Sequence, residues 1–345
     1  MRKLTKRIRM NVKQKDRSID LLKFVATLAI FNHLARPYYG KYTMLATGGA
    51  IGCVLFFFCA GFLATLGGEG QFLPWMKRKL CRLWPTCLMT VLFYEAIYGL
   101  HFEKSGGGVA FALKGAGWFV PCLLVHFVAW WVFCKKAKLD ALIVLAINFA
   151  ISSVIVYVWV PMESPGLVLF GGISDFFKWP FCFTFFLLGA VLARKKAQLR
   201  YRLWMDALML FVCVVVFYSM YLIAQRSMLL TRLQFVEWIP LIGFAYYAFK
   251  VAKSMEDKRV LASKWIKYIV CFVGGHSLEM YLVGAGGGSV IYNLWKDYSY
   301  PIGYWGGFMT VLIVAYTVRS AGRIFAQTLD RSIGSYDWHA AFRLY

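Results

Sequence analysis

Ten apolar runs, each close to 20 residues long, recur along this chain, and no stretch between them is long enough to fold separately. At about 1.5 Å per residue such a run crosses bilayer hydrocarbon as a helix, which satisfies its backbone donors and acceptors internally. The runs fall near 19–36, 46–67, 80–100, 117–134, 139–160, 176–193, 203–224, 233–249, 268–285 and 302–318. With 60% hydrophobic and only 16% charged residues, the chain has too little polar matter to cover a water-soluble globule. The expected fold is an all-α integral membrane protein of about ten transmembrane helices. A basic tail over 1–17 precedes one membrane domain over 18–325, and a short tail over 326–345 follows it.

Lys and Arg number 39 against 16 Asp and Glu, a balance that in a soluble protein would suggest nucleic acid. Here the cations lie between the apolar runs: thirty in one set of alternate connections, eight in the other, and Lys23 inside the first run. Basic residues near span ends stay on the cytoplasmic side, so both termini are expected in the cytoplasm and no nucleic-acid partner is needed. The basic lead suits an anchor to anionic lipid heads. The first run is followed by Arg36 and Pro37 instead of a small-residue cleavage site, so it is expected to remain as a span. All nine cysteines fall within runs and none forms a CxxC pair. They read as packing residues, and no metal site is expected.

Ionisable groups deep in a bilayer need a partner, a wet cavity or a task. Four stand out: His33, Glu95, His276 and Glu279. Counting rise from the cytoplasmic entries puts His33, Glu95 and Glu279 about 20 Å in, where they could share one cavity in the outer half of the membrane. His33 sits in Phe31-Asn32-His33-Leu34, with Ala26 and Ala29 on its helical face to let another helix approach. It can be a general base beside a carboxylate, or a structural histidine bonded to a neighbouring carbonyl. In the ninth run Ser277 and Tyr281 are four apart on one face, and His276 and Glu279 three apart on an adjoining one, a spacing at which side chains also satisfy each other. Arg78 and Arg82 stand one turn apart between Lys77, Lys79 and Pro85. Their guanidinium forks suit phosphates, although positive-inside anchoring explains them equally. Trp118 and other aromatics at run ends fit interfacial belts.

The order of these features is Ser18-Ile19-Asp20-Leu21-Leu22-Lys23-Phe24 leading to His33, then Leu55-Phe56-Phe57-Phe58-Cys59-Ala60-Gly61-Phe62, then Arg78 to Pro85. Gly117-Trp118-Phe119 follows, and finally His276-Ser277-Leu278-Glu279-Met280-Tyr281-Leu282. From about residue 17 to the last span this resembles the membrane-bound acyltransferase 3 family. The resemblance implies a ten-span protein of the bacterial inner membrane that acylates carbohydrate outside the cytoplasm, commonly O-acetylating polysaccharide from acyl-coenzyme A. It implies no tightly bound cofactor, acyl-CoA as donor substrate, and a cell-surface or lipid-linked glycan as acceptor. By the same resemblance His33 is the catalytic histidine; Glu279 or Glu95 is expected to orient it. Arg78, Arg82 and Lys23 are expected to hold the donor. Trp118, His276, Ser277 and Tyr281 are expected to line the cavity or meet the acceptor. Lys23 stands ten residues before His33, about 80° around the helix, where the family usually has a basic residue eleven before. Gly284 stands where it often has a histidine. Two other readings share these features: a glycan or lipid-intermediate transporter, and an inactive scaffold of the same fold.

Overall fold

A computed structural model describes residues 16–67, 71–98, 117–159, 175–224, 226–257, 263–298, 300–329, 337, 338 and 342. The basic lead before residue 16, the loops near 101–116 and 161–174, and most of the C-terminal tail lie outside them. A helix occupies each of the ten apolar runs. In chain order they are α1 (Arg17–Leu34), α2 (Gly49–Leu66), α3 (Phe72–Tyr98), α4 (Phe119–Trp130, with a π turn over Trp131–Lys136), α5 (Ala141–Trp159) and α6 (Asp175–Lys195). Then come α7 (Leu203–Ala224), α8 (Trp238–Asp257, entered through the turns Met228–Arg232 and Leu233–Glu237), α9 (Lys264–Gly275), α10 (Ser277–Trp295) and α11 (Ile302–Leu329).

Among the described residues six helices are long and apolar enough to cross a membrane, or eight if each of two bent pairs is one span, where ten spans were expected. The helices outside that count are α3 and α6. Lys77, Arg78, Lys79 and Arg82 crowd the start of α3. The ninth run is not one helix. It breaks at His276, where the backbone leaves helical geometry after Gly274-Gly275, and α9 and α10 meet at a 53° bend. Helix α1 likewise turns by 98° into the Arg36–Leu45 segment.

Only 11% of the α7 span and 22% of the α5 span is buried, although both are apolar on every side. Ile143, Ile147, Val154, Phe211 and Val215 point outward, as befits a surface wetted by lipid. This is a multi-pass membrane protein. Lys250 of α8 donates to Asp206 of α7 at 2.5 Å, both largely buried, so each ionisable group has its partner in the helix pair.

Two apolar cores form, and α1 belongs to both. Ile19, Leu22, Ala26 and Ile30 pack with Phe56, Phe57, Phe58 and Phe62 of α2, with α4, and with Phe185 and Phe186 of α6. Phe31 packs instead with Met280 and Val283 of α10 and Tyr304 and Phe308 of α11. Small residues let the backbones meet, because lipid leaves little hydrophobic force to drive helices together. A Cβ on Gly48 would lie 3.2 Å from the Ala29 Cβ, and one on Gly52 would lie 2.8 Å from the Ala26 carbonyl. The helix approach expected at Ala26 and Ala29 is therefore present, with α2 as partner. A Cβ on Gly61 would run into the Phe186 carbonyl, and one on Gly189 into the Phe58 carbonyl. That explains the glycine of the Phe-Phe-Phe-Cys-Ala-Gly sequence in α2. Because the obstacle is backbone, Gly61→Ala should cost about 1–3 kcal/mol of stability, whereas Gly67→Ala, whose Cβ would meet only the Leu63 carbonyl at 3.5 Å, should be near neutral. Thermal unfolding of the purified variants checks this, and equal melting temperatures would refute the seam.

Candidate active site

The residue before His33 shapes its surroundings. Asn32 donates to the carbonyls of Leu45 and Thr47, 2.9 Å each, and accepts from the Tyr39 hydroxyl. These bonds fold the Arg36–Leu45 return over the end of α1 and set Ala46, Thr47 and Gly48 beside His33. The His33 ring lies beside the Ala46 backbone. A neutral imidazole there carries an N–H on one nitrogen and a lone pair on the other. One face of the ring lies on Gly49, where a Cβ would stand 2.9 Å from Cγ and Cδ2. The side chain is otherwise exposed to a cavity of about 600 Å³, which Arg36, Tyr218, Tyr221, Glu237 and Trp238 also line.

Neither Glu95 nor Glu279 lines that cavity, so the shared site expected from their depths is not formed. Rise along a helix gives height and says nothing of which neighbour a side chain faces. Glu95 lies near the end of α3, where the adjacent Tyr94 hydroxyl donates to the Leu282 carbonyl at 3.0 Å, and its Oε1 is buried without a hydrogen-bond partner. The break at His276 puts Glu279 in the first turn of a new helix. It faces a second cavity, of about 380 Å³, with Arg82, Pro85, Gly275, Arg319 and Arg323. Arg319 Nη1 donates to the Gly275 carbonyl at 2.5 Å, bracing the break.

A third cavity, of about 130 Å³, adjoins the second through Arg82, which lines both. Lys23, Lys79, Ser277 and Tyr281 share its wall with Phe56 and Leu123. Of the expected donor residues, then, Lys23 and Arg82 come together and Arg78 does not: it is exposed and lines neither cavity. Lys79 takes its place, with its ammonium 5.6 Å from the Trp75 ring centroid and 5.3 Å from that of Phe127. Lys23 and His33 open on different cavities.

Ser277 and Tyr281 share a wall, as their spacing implied, and the Tyr281 ring packs on Phe119 with centroids 4.8 Å apart. A void of about 10 Å³, room for one water, extends this cavity along α1 past Thr27 and Ile30 to Leu34. Ile30 packs on Gly52, one turn from the Gly49 that touches His33. The basic cavity and the His33 cavity thus approach each other across the α1–α2 seam.

Two expected cavity residues lie elsewhere. His276 is fully buried, donates from Nδ1 to the Phe272 carbonyl at 2.7 Å and packs on Phe272 and Tyr316, because the helix break turns it toward α11. Trp118 stacks on Phe57 and holds the Lys178 ammonium 5.6 Å above its ring. At Gly284 the space of a side chain is taken by Leu34, whose Cδ1 would be 3.1 Å from a Cβ. Sequence reasoning missed Glu237, Arg319 and Arg323. Glu237 carried a usable signal, an acid inside an apolar run. Arg319 and Arg323 repeat the i, i+4 spacing of Arg78 and Arg82, but positive-inside counting absorbed them.

The acyltransferase 3 family model, described as an acyltransferase domain, matches residues 16–319, nearly the whole chain. The chain belongs to this family and is an acyltransferase. No curated protein and no solved structure matches it.

Exposure separates the histidines. Diethyl pyrocarbonate should acylate His33 in membranes while His126, 3% exposed, and the buried His276 stay protected, as read by peptide mass spectrometry. Modification of all three at one rate would contradict the open His33 cavity.

Proposed function

We propose that this protein moves an acyl group, commonly acetyl, from acyl-CoA to a hydroxyl of a cell-surface or lipid-linked carbohydrate in a bacterial inner membrane. The observation that carries the reading is the polarity of the two ends of α1. Lys23 joins Lys79 and Arg82 around one cavity, and about 15 Å further along the helix His33 opens on another, larger one. Cations suit the phosphates of coenzyme A, and the free ring nitrogen suits a hydroxyl proton. Family membership supports the acyl chemistry.

In this mechanism the pantetheine arm runs from the cationic cavity across the seam past Ile30, and the thioester arrives beside His33. The imidazole takes the hydroxyl proton as the oxygen bonds to the thioester carbon. The tetrahedral adduct expels the thiolate, which recovers the proton from the imidazolium. The exposure of His33 to its cavity supports this role, since a neutral imidazole keeps one ring nitrogen free to act as base. Arg319 and Arg323 add positive charge beside Arg82 for the nucleotide end of the donor.

General-base action is worth about 10² to 10⁴-fold, so His33→Gln should lower transfer from labelled acetyl-CoA by that factor with the melting temperature unchanged. Full turnover in that variant would remove His33 from the reaction. Arg82→Ala should raise KM for acetyl-CoA well above its effect on an acetyl-pantetheine thioester lacking the nucleotide. Equal effects on both donors would make the cluster a membrane anchor only.

A further inference from the structure

The His33 cavity contains an acid that the reaction as written does not use. Glu237 closes the turn Leu233–Glu237 ahead of α8, is 6% exposed, and has an Oε1 that is buried without a hydrogen-bond partner. A buried carboxylate oxygen left unpaired is costly, and in a cavity that size the missing partner is most simply a ligand. Its surroundings narrow the choice. Thr47 Oγ1 donates to the Tyr218 hydroxyl at 2.9 Å, which leaves the Tyr218 O–H to donate elsewhere. Tyr221 and Trp238 add aromatic surface, and Arg36 lines the same space.

The wall therefore presents an acceptor at Glu237, a donor at Tyr218, a lone pair at His33 and flat apolar rings between them. A cationic ligand would meet Arg36, and an acyl chain would leave Glu237 unpaired. A neutral ring bearing adjacent hydroxyls answers every group, with its C–H face on the aromatics and its hydroxyls on the polar positions. We propose that Glu237 is the acceptor-binding residue: its carboxylate accepts a hydrogen bond from the sugar hydroxyl next to the one that His33 deprotonates. Glu237 exchanges no proton and forms no covalent bond; it sets which hydroxyl reaches the base. This assignment rests on the acyl-transfer reading for the identity of the attacked group.

The test uses the full chain in lipid nanodiscs and four probes: the methyl pyranosides of glucose, galactose, mannose and N-acetylglucosamine. Saturation-transfer NMR should show that the wild-type chain binds at least one. Glu237→Gln should weaken that binding by about tenfold or more, the size expected for losing a charge-assisted hydrogen bond. With acetyl-CoA present, Glu237→Gln should raise KM for the same sugar about tenfold and leave KM for acetyl-CoA within about twofold. If Glu237→Gln fails to fold, Tyr218→Phe carries the test, with the same selective loss of sugar affinity. Wild-type binding of none of the four sugars overturns the assignment, as does unchanged affinity in both variants. Sugar binding that depends on Glu237 in a chain that transfers no acetyl group would instead overturn the acyl-transfer reading and leave the binding site standing.

Discussion

Helix α1 is held between two cores by backbone contact, and every functional feature is referred to it. In a bilayer, packing and small residues must do what water-driven burial does elsewhere. Gly48 and Gly52 let α2 touch α1 at Ala29 and Ala26, while Gly274 brings α9 against the Asp20 carbonyl, where a Cβ would stand only 2.5 Å away. With both flanks fixed in this way, α1 has little freedom to rotate. Lys23 and His33, on faces 80° apart, are thereby committed to different cavities.

That commitment divides the protein's chemistry by location. Cations from α1, α3 and α11 gather around two adjoining cavities joined by Arg82, and a single imidazole with a carboxylate and two tyrosines occupies the far one. The division suits a two-substrate reaction in which a charged donor and a polyhydroxylated acceptor enter from different sides. Between the two regions lies the α1–α2 seam, where Ile30 packs on Gly52 and also lines a void with room for about one water.

The site was partly legible in advance because some of its logic is local. A step of four along a helix fixes a shared face, so Ser277 and Tyr281 did fall on one wall, and a run of small residues did mark a close helix approach. What local reasoning could not supply was azimuth between helices. Arg78 and Lys79 are neighbours in a run of cations, yet only Lys79 turns toward Lys23 and Arg82. Glu279 and His33 were matched by depth and separated by the bend at His276. His276 faces α11 because a helix break, caused by two glycines and the contacts behind them, is a property of three helices at once.

By itself the sequence determined that the chain must be a helical membrane protein, because long apolar runs have no other way to satisfy their backbone in lipid. It also determined that His33 would sit far along the first helix, since rise per residue is fixed. Only the tertiary structure decided that this histidine would share its cavity with Glu237 instead of Glu279 or Glu95. The reason is physical: which residues meet across helices depends on where backbones can touch and where a helix bends, and neither is written in the spacing of one segment.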